Sequence, residues 1–165
     1  MWQKITQKIK SIEEAAALVE AWRSSGEKIV WTNGCFDLLH LGHIKYLCQA
    51  RGLGNRLIVG VNSDASVKRL KGPQRPILDQ ESRLTKIAAL EAVDMVVPFE
   101  ENTPIVPICR LRPDVLVKGG DYKPEEVVGA AEIKEWNGVI FIIDFEAGHS
   151  TTEILRKIKT LRDVD

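Results

Sequence analysis

The twelve residues 32–43, TNGCFDLLHLGH, constrain the fold more than any other stretch of the chain. They follow residues 28–31, an apolar run typical of a buried strand, and they precede residues 44–50, whose apolar positions have helical spacing. The stretch is therefore predicted to turn from a strand into a helix. A helix N-terminus offers unpaired backbone N–H groups and the positive end of the helix dipole, so this turn predicts an anion-binding site.

Two histidines and a glycine give this turn its chemistry. His40 and His43 are three residues apart, so on a first helical turn both rings can face the same point. Gly42 lets the backbone come close to a bound anion, because no side chain intervenes. Two imidazoles beside a phosphate can donate hydrogen bonds to charge that develops during a reaction.

The charge balance excludes several classes of function. The chain has 165 residues with 23 basic and 23 acidic side chains, so its formal net charge is zero. This balance argues against a nucleic-acid-binding face and against a membrane-surface patch. No apolar run approaches the roughly 20 residues of a membrane span. We predict a single domain over residues 1–165, with an N-terminal helical segment at 1–26 and a catalytic core at 27–165.

Cysteine usage and the start of the chain indicate the compartment. Cys35, Cys48 and Cys109 are odd in number and widely spaced, which fits neither a disulfide framework nor a zinc pattern. The first residues lack the apolar core of a signal peptide. We therefore expect a cytoplasmic protein with reduced cysteines. Cys35 lies in the predicted site, where it is either a small packing residue or a reactive thiol.

Apolar runs and helical periods alternate along the whole chain. This alternation predicts an α/β fold, a doubly wound Rossmann-like sandwich with a mostly parallel five-stranded sheet. The strands are predicted at 29–32, 56–61, 94–98, 114–118 and 139–143. The longer helices are predicted at 12–24, after His43, at 80–92, 125–136 and 151–161, with shorter ones from 64 and from 104 to 111.

Ligands of such sheets bind at the carboxyl ends of the strands, and three further segments follow predicted strands. They are residues 62–64 with the basic stretch 68–75, the glycine turn 118–122 and the stretch 148–152, which precedes the last helix. Each also has a simpler interpretation, as a solvated basic loop, a turn and a helix cap. Taken together with the histidine turn, they suit a polyphosphate.

Residues 32–43 resemble the GxFDxxHxGH turn of the cytidylyltransferase-like nucleotidyltransferases, and residues 40–43 match their HxGH element. Residues 113–122, 127–130 and 148–152 resemble the adenylyltransferase half of the bacterial ADP-heptose synthases. Residues 62–72 and 99–104 fit the same pattern. The resemblance runs from about residue 28 to 158. Ala131 departs from it where an acidic residue is expected, and residues 147–149 differ from the arginine-containing approach of glycerol-phosphate cytidylyltransferases.

The resemblance implies transfer of AMP from ATP to D-glycero-β-D-manno-heptose 1-phosphate. The products would be pyrophosphate and ADP-heptose, for the lipopolysaccharide core or other heptose-containing surface glycans. It implies Mg²⁺ bound with ATP, and a homodimer. In many members this unit is fused to a sugar kinase domain. Because these 165 residues contain none, we expect a stand-alone adenylyltransferase.

The resemblance also implies roles for particular residues. The catalytic residues would be His43, His40 and Lys71, with Lys68 competing for the role of Lys71. The nucleotide would be bound by Thr32, Asn33, Gly34, Cys35, Phe36, His40, Gly42, His43, Lys71, Lys118, Gly119, Gly120, Asp121, Gly129, Ser150, Thr151 and Thr152.

The substrate-binding candidates are Asp37, Lys68 and Arg75, and Asp37 is the only carboxylate proposed to contact Mg²⁺ or the sugar. Glu81 and Arg83 are expected on a helix surface or in a subunit contact.

Two other functions stay open. One is a cytidylyltransferase acting on glycerol 3-phosphate or a related alcohol phosphate, which would share the fold and the histidine turn. The other is a nucleotide-sensing module that binds ATP without turnover. The choice of nucleotide, and the residues that contact the sugar hydroxyls, are not decided by the sequence.

Overall fold

The structure is a computed structural model that describes residues 1–144 and 151–162. Within these residues, five strands form one sheet in which every pairing is parallel. The strands are β1 (Ile29–Gly34), β2 (Arg56–Asn62), β3 (Met95–Phe99), β4 (Val115–Gly119) and β5 (Val139–Ile143). Their order across the sheet is β3-β2-β1-β4-β5. The predicted doubly wound α/β sandwich is confirmed.

Eight α-helices connect or flank the strands in the same described ranges. They are α1 (Trp2–Thr6), α2 (Ile12–Ser24), α3 (Leu41–Arg51), α4 (Asp64–Lys71), α5 (Gln80–Ala88), α6 (Ile105–Leu111), α7 (Ala130–Glu135) and α8 (Thr151–Arg162). None of the described helices is long and apolar enough to cross a membrane.

Side-chain caps determine where several helices begin. Ser11 and Glu14 form a reciprocal capping box at the start of α2. The Asp79 carboxylate accepts a hydrogen bond from the Ser82 backbone N–H at 2.7 Å and so starts α5. Ser63 caps α4 in the same way. Local polar side chains therefore determine where these three helices begin.

The prediction of one helix over residues 125–136 is wrong in its first half. The structure has a 3₁₀ turn at Pro124–Glu126, and α7 begins only at Ala130. Gly129, directly before α7, has a left-handed backbone with φ of 94°. A continuous right-handed helix cannot pass through such a residue, so the segment is divided there.

The core lies on both faces of the sheet, as the almost continuous apolar strands require. Val30 and its neighbours face one cluster, and Trp31 faces the other. Trp31 is fully buried over Gly60 of β2, where an added Cβ would lie 2.4 Å from its ring. The glycine is required there because the indole occupies the space of a side chain.

The sheet order places a crevice next to β1. The chain passes from β1 to β2 and β3 on one side, then crosses to β4 and β5 on the other. The loops that leave β1 and β4 at their carboxyl ends therefore run in opposite directions, which opens a ligand site between them.

Candidate active site

A cavity of about 690 Å³ lies at the carboxyl edge of the sheet. It is formed by segments that follow β1, β2, β3 and β4, together with the start of α8. Its lining residues are Asn33, Gly34, Cys35, Phe36, Asp37, His43, Tyr46, Asn62, Val67, Leu70, Lys71, Arg75, Asn102, Thr103, Pro104, Lys118, Gly119, Tyr122, Val128 and Thr151. The structure thus brings together segments that are distant in the sequence.

The two histidines of the turn are stacked. Their ring centroids are 3.7 Å apart with 22° between the planes. His40 is the N-cap of α3, and its Nδ1 accepts a hydrogen bond from the His43 backbone N–H at 3.4 Å. His40 thereby holds the first turn of the helix, and the ring of His43 lines the cavity.

His43 is a neutral imidazole in this environment. Burial lowers the pKa of His43 to about 4, and the neighbouring His40 acts in the same direction against the Leu38 carbonyl. Its Nδ1 is buried without a hydrogen-bond partner in the described part of the chain. Because an unpaired buried polar atom is unfavourable, a ligand or water that satisfies it would be stabilised there.

Asp37 holds a loop rather than facing the solvent. Its carboxylate accepts hydrogen bonds from Arg75 Nη1 at 2.9 Å and from the backbone N–H groups of Ile77 and Leu78. Burial acts to raise the pKa of Asp37, but these hydrogen bonds outweigh it and hold the pKa below its ordinary value. The carboxylate is therefore ionised and already surrounded by donors.

The expectation that Arg83 lies on a helix surface is wrong. Its side chain is fully buried. The guanidinium donates to the carbonyls of Cys35 at 2.7 Å and Leu78 at 3.1 Å, and to Asp64 Oδ1 at 2.8 Å. Arg83 therefore joins the turn after β1, the start of α4 and the loop before α5. A buried arginine was missed because its acceptors are far away in the sequence.

Two lysines line the cavity. Lys71 ends α4, and Lys118 lies near the end of β4. Burial lowers the pKa of Lys118, and the charge of Lys71 acts in the same direction. The Lys118 Nζ lies 5.6 Å from the Tyr122 ring centroid. Neither lysine forms an ion pair among the described residues, so both are available to an anionic ligand.

Cys35 faces the cavity with its thiol near Asn62, at 3.9 Å from the amide oxygen. Burial raises the pKa of Cys35, although Lys71 and Arg83 act against it. The thiolate is the nucleophilic form of cysteine, so this environment favours the packing interpretation over that of a reactive thiol.

Several predicted site residues lie outside the lining of the cavity. They are Thr32, His40, Gly42, Lys68, Gly120, Asp121 and Gly129. Thr32 is buried and shares a hydrogen bond of 2.6 Å with the Tyr46 hydroxyl. Gly129 packs on the core, where an added Cβ would lie 3.1 Å from Ile108. Ser150 and the side chain of Thr152 lie outside the described residues, so the structure does not place them.

The lining also contains residues that the sequence did not identify individually as site residues, although all but Tyr46 lie in segments named above for their resemblance to a known family. They are Tyr46, Asn62, Val67, Leu70, Asn102, Thr103, Pro104, Tyr122 and Val128. Asn62 ends β2, and the segment 102–104 follows β3. The strand-end rule already brought Asn62 to this edge of the sheet, and the same rule applied to β3 would have found residues 102–104. The apolar members carry no such signal, because apolar residues in a sequence are interpreted as core.

The described residues do not include a group of three or more His, Cys, Asp or Glu side chains that could hold a metal ion. Asp37, the predicted contact for Mg²⁺, already accepts hydrogen bonds on both carboxylate oxygens. The donor set therefore does not fit a resident metal held by Asp37.

Comparisons with known proteins agree with this geometry. Residues 31–157 match the family described as Cytidylyltransferase-like. The bifunctional protein HldE of Cronobacter sakazakii is 57% identical over 147 residues, covering 87% of this chain and 31% of that protein. HldE of Methylobacillus flagellatus is 50% identical over 151 residues, covering 92% of this chain and 31% of that protein. The chain thus spans about a third of the length of these relatives.

Two solved structures share the fold. The lipopolysaccharide core biosynthesis protein from Thermoplasma volcanium GSS1 is 34% identical with a TM-score of 0.61, covering 73% of this chain and 98% of that one. The pantoate-beta-alanine ligase from Francisella tularensis is 15% identical with a TM-score of 0.58, covering 84% and 67%. The second likeness concerns the fold alone.

Proposed function

This chain belongs to the cytidylyltransferase-like family, and from that premise we propose that it transfers AMP from ATP to D-glycero-β-D-manno-heptose 1-phosphate. The observation that carries the proposal is the stacked His40–His43 pair at the start of α3, beside a cavity that Lys71 and Lys118 also line. The resemblance of residues 113–122 and 148–152 to ADP-heptose synthases supports the choice of acceptor. The 34% identity to a lipopolysaccharide core biosynthesis protein supports it further.

The proposed reaction exchanges one phosphoanhydride bond for another. A phosphate oxygen of the sugar 1-phosphate attacks the α-phosphorus of ATP. The bond from that phosphorus to the β-phosphate oxygen breaks, and pyrophosphate leaves with the electron pair. Because the nucleophile is already an anion, no general base is required. Catalysis then depends on positioning the reactants and on neutralising charge at the phosphoryl oxygens.

The histidine turn would act on the α-phosphate. A neutral His43 donates a hydrogen bond to oxygens whose charge grows in the transition state, and the stacked His40 keeps the ring in place. Lys71 neutralises phosphate charge from the end of α4. Mg²⁺ would enter with ATP as part of the substrate and would neutralise phosphate charge, without a dedicated set of protein ligands.

The nucleotide is proposed to lie on the side of β4 and α8. Lys118 and Gly119 line the cavity there, as does Thr151 at the first residue of α8. The turn 119–121 would receive the adenosine, and residues 150–152 would hold the β and γ phosphates at the helix N-terminus.

Isotope transfer tests the reaction type. Incubation with heptose 1-phosphate and α-³²P-ATP should place the label in the nucleotide sugar, whereas γ-³²P-ATP should place it in pyrophosphate. Label from the γ-phosphate in the sugar product would contradict the proposal, because that outcome is phosphoryl transfer.

We propose further that the protein works as a homodimer in the cytoplasm, where ATP is supplied. Light scattering on a sizing column should give twice the 18.5 kDa chain mass. A mass that stays at one chain across micromolar concentrations would contradict the dimer, and recovery outside the cytoplasmic fraction would contradict the compartment.

A further inference from the structure

The loop between α4 and α5 is folded back onto the histidine turn. Gly72 ends α4 with φ of 100°, a left-handed conformation that suits glycine. Beyond it, Arg75 and the backbone N–H groups of Ile77 and Leu78 reach the carboxylate of Asp37. Asp37 is therefore the point at which this loop is fastened to the turn that carries His40 and His43.

Donors within the protein already contact both oxygens of the Asp37 carboxylate. Oδ1 accepts from the Ile77 N–H at 2.9 Å and the Leu78 N–H at 3.0 Å. Oδ2 accepts from Arg75 Nη1 at 2.9 Å and shares the Ile77 N–H at 3.0 Å. The side chain is almost fully buried, and Lys86 Nζ donates to its backbone carbonyl. Any effect of Asp37 on substrate must therefore pass through the groups that it holds.

Arg75 is the charged member of that set, and it lines the cavity. Its side chain is one quarter exposed. Within the part of the chain that the structure describes, its guanidinium donates one hydrogen bond, from Nη1 to Asp37. A guanidinium has five N–H donors in a rigid fork, so the fixed group keeps donors for a second anion. Arginine binds phosphate through pairs of such donors.

The sheet order indicates which phosphate Arg75 would meet. Its loop follows α4 and β2, which lie on one side of β1. Apart from the turn after β1 and Lys71 at the end of α4, the residues proposed to hold the nucleotide lie on the other side, at β4 and the start of α8. The acceptor must approach the α-phosphorus from the side opposite the leaving pyrophosphate, because displacement at phosphorus is in line. With the pyrophosphate at the start of α8, as proposed above, the loop of Arg75 lies on the side of the acceptor.

We infer that Arg75 binds the phosphate of the acceptor sugar and that Asp37 is a positioning residue that holds Arg75 and its loop in place. This inference rests on the proposed function, since it requires a phosphorylated acceptor. It replaces the sequence-based expectation that Asp37 itself contacts the sugar or Mg²⁺.

The test measures KM for each substrate separately, with ATP and heptose 1-phosphate, in R75Q, R75K and D37N. R75Q should raise the KM for the sugar phosphate at least about 10-fold, the scale for losing a charged hydrogen bond, with the KM for ATP within about 2-fold. R75K should recover only part of the loss, because a lysine cannot bind phosphate through two parallel donors.

D37N tests the positioning role. It should raise the KM for the sugar phosphate as R75Q does, and adding it to R75Q should raise that KM little further, because both act on the same contact. The half-saturating Mg²⁺ concentration should be unchanged. R110Q is the matched control, since Arg110 is an exposed arginine on α6 that does not line the cavity. Melting temperatures identify any variant that fails to fold.

Failure of this inference and failure of the proposed function would give different results. An unchanged KM for the sugar phosphate in R75Q, or a raised KM for ATP instead, overturns the role of Arg75 while the wild-type turnover upholds the proposed function. A shifted Mg²⁺ requirement in D37N overturns the positioning role of Asp37. Absence of turnover by the wild type overturns the proposed function, and the inference with it.

Discussion

The protonation state of His43 decides how this site can stabilise a transition state. With a pKa of about 4, the ring is neutral at physiological pH, so it can donate through one N–H but brings no full positive charge. The charge must then come from Lys71, Lys118 and Arg75, which surround the same cavity. In this site an uncharged imidazole would donate the hydrogen bond, and separate lysine and arginine side chains would supply the positive charge.

We expect His43→Asn to lower kcat by about 10²–10³-fold, the scale for losing one such donor. The dissociation constant for ATP should change much less, since the lost hydrogen bond is strongest in the transition state. Steady-state kinetics and calorimetric titration of ATP measure the two effects. Gln49→Ala, an exposed position on the same helix, is the control and should keep its rate. Full activity of His43→Asn would remove the residue from the mechanism.

The low pKa of His43 also makes stability depend on pH. Between pH 4 and 6.5 the unfolded chain binds a proton at this residue and the folded protein does not. The free energy of unfolding therefore rises with pH through that window. Above pH 6.5 proton binding at this residue no longer favours the unfolded chain. From pH 7 to pH 5 we expect the wild type to lose about 1–2 kcal/mol more than His43→Asn, after allowance for partial exposure of the ring.

Urea unfolding of the two proteins at both pH values measures this difference, and the titrating groups that do not interact with His43 cancel in the comparison. Equal losses in wild type and variant would show that His43 has no lowered pKa in the folded protein.

At the scale of elements, hydrogen bonds from the buried Arg83 side chain connect α5 to the site. The side chain connects the turn after β1, the first turn of α4 and the loop that carries Arg75. Since His43 follows that turn and Lys71 ends α4, the buried guanidinium helps to fix the distance between the proposed catalytic groups. Its loss would leave two carbonyls and one carboxylate without their donor.

Arg83→Met should lower the free energy of unfolding by about 2–4 kcal/mol, as for breaking a buried pair. The lower part of that range applies if solvent screens Asp64, whose side chain is 39% exposed. Arg110→Met, at the exposed position on α6, should change it by less than about 0.5 kcal/mol. Denaturant titration compares the two variants. Equal unfolding midpoints would show that the hydrogen bonds of Arg83 do not stabilise the fold.

The packing of β1 on β2 gives a second prediction at this scale. Gly60→Ala places a methyl group 2.4 Å from the fully buried Trp31 ring, so we expect a loss of about 1–3 kcal/mol from overpacking. Gly52→Ala is the control. Gly52 has an ordinary φ of −65°, and the nearest atom to an added Cβ, the Gln49 carbonyl oxygen, would be 3.3 Å away. A Gly60→Ala protein as stable as that control would contradict this account of the core.

How far the sequence predicts each element follows from the range of its interactions. The five strands are predicted because buried parallel strands are apolar almost throughout, and most helix starts because their caps are local. The break before α7 at Gly129 is not predicted from the sequence, because it depends on a left-handed residue that packs on Ile108 and Leu116. Likewise, Arg83 meets Cys35 across 48 positions of sequence, which no local pattern reports.

At the scale of the whole molecule, the sheet order determines the division of the site. The crossing from β3 to β4 places the basic loop and Asn62 on one side of β1, and the turn after β4 on the other. The strand-end rule anticipates this convergence from the sequence. The rule cannot assign a ligand to each side of β1. The order of the strands in the sheet depends on contacts between residues that are far apart in the sequence.

The most direct test of the central claim is pyrophosphate release with ATP or CTP, each offered with heptose 1-phosphate or glycerol 3-phosphate. We predict release of pyrophosphate only from ATP with heptose 1-phosphate, and loss of this release in His43→Asn. Release from CTP with glycerol 3-phosphate would keep the fold and the histidine site but contradict the proposed substrates. No release from any pair, with ATP still bound, would contradict adenylyl transfer to this acceptor and favour a nucleotide-sensing module.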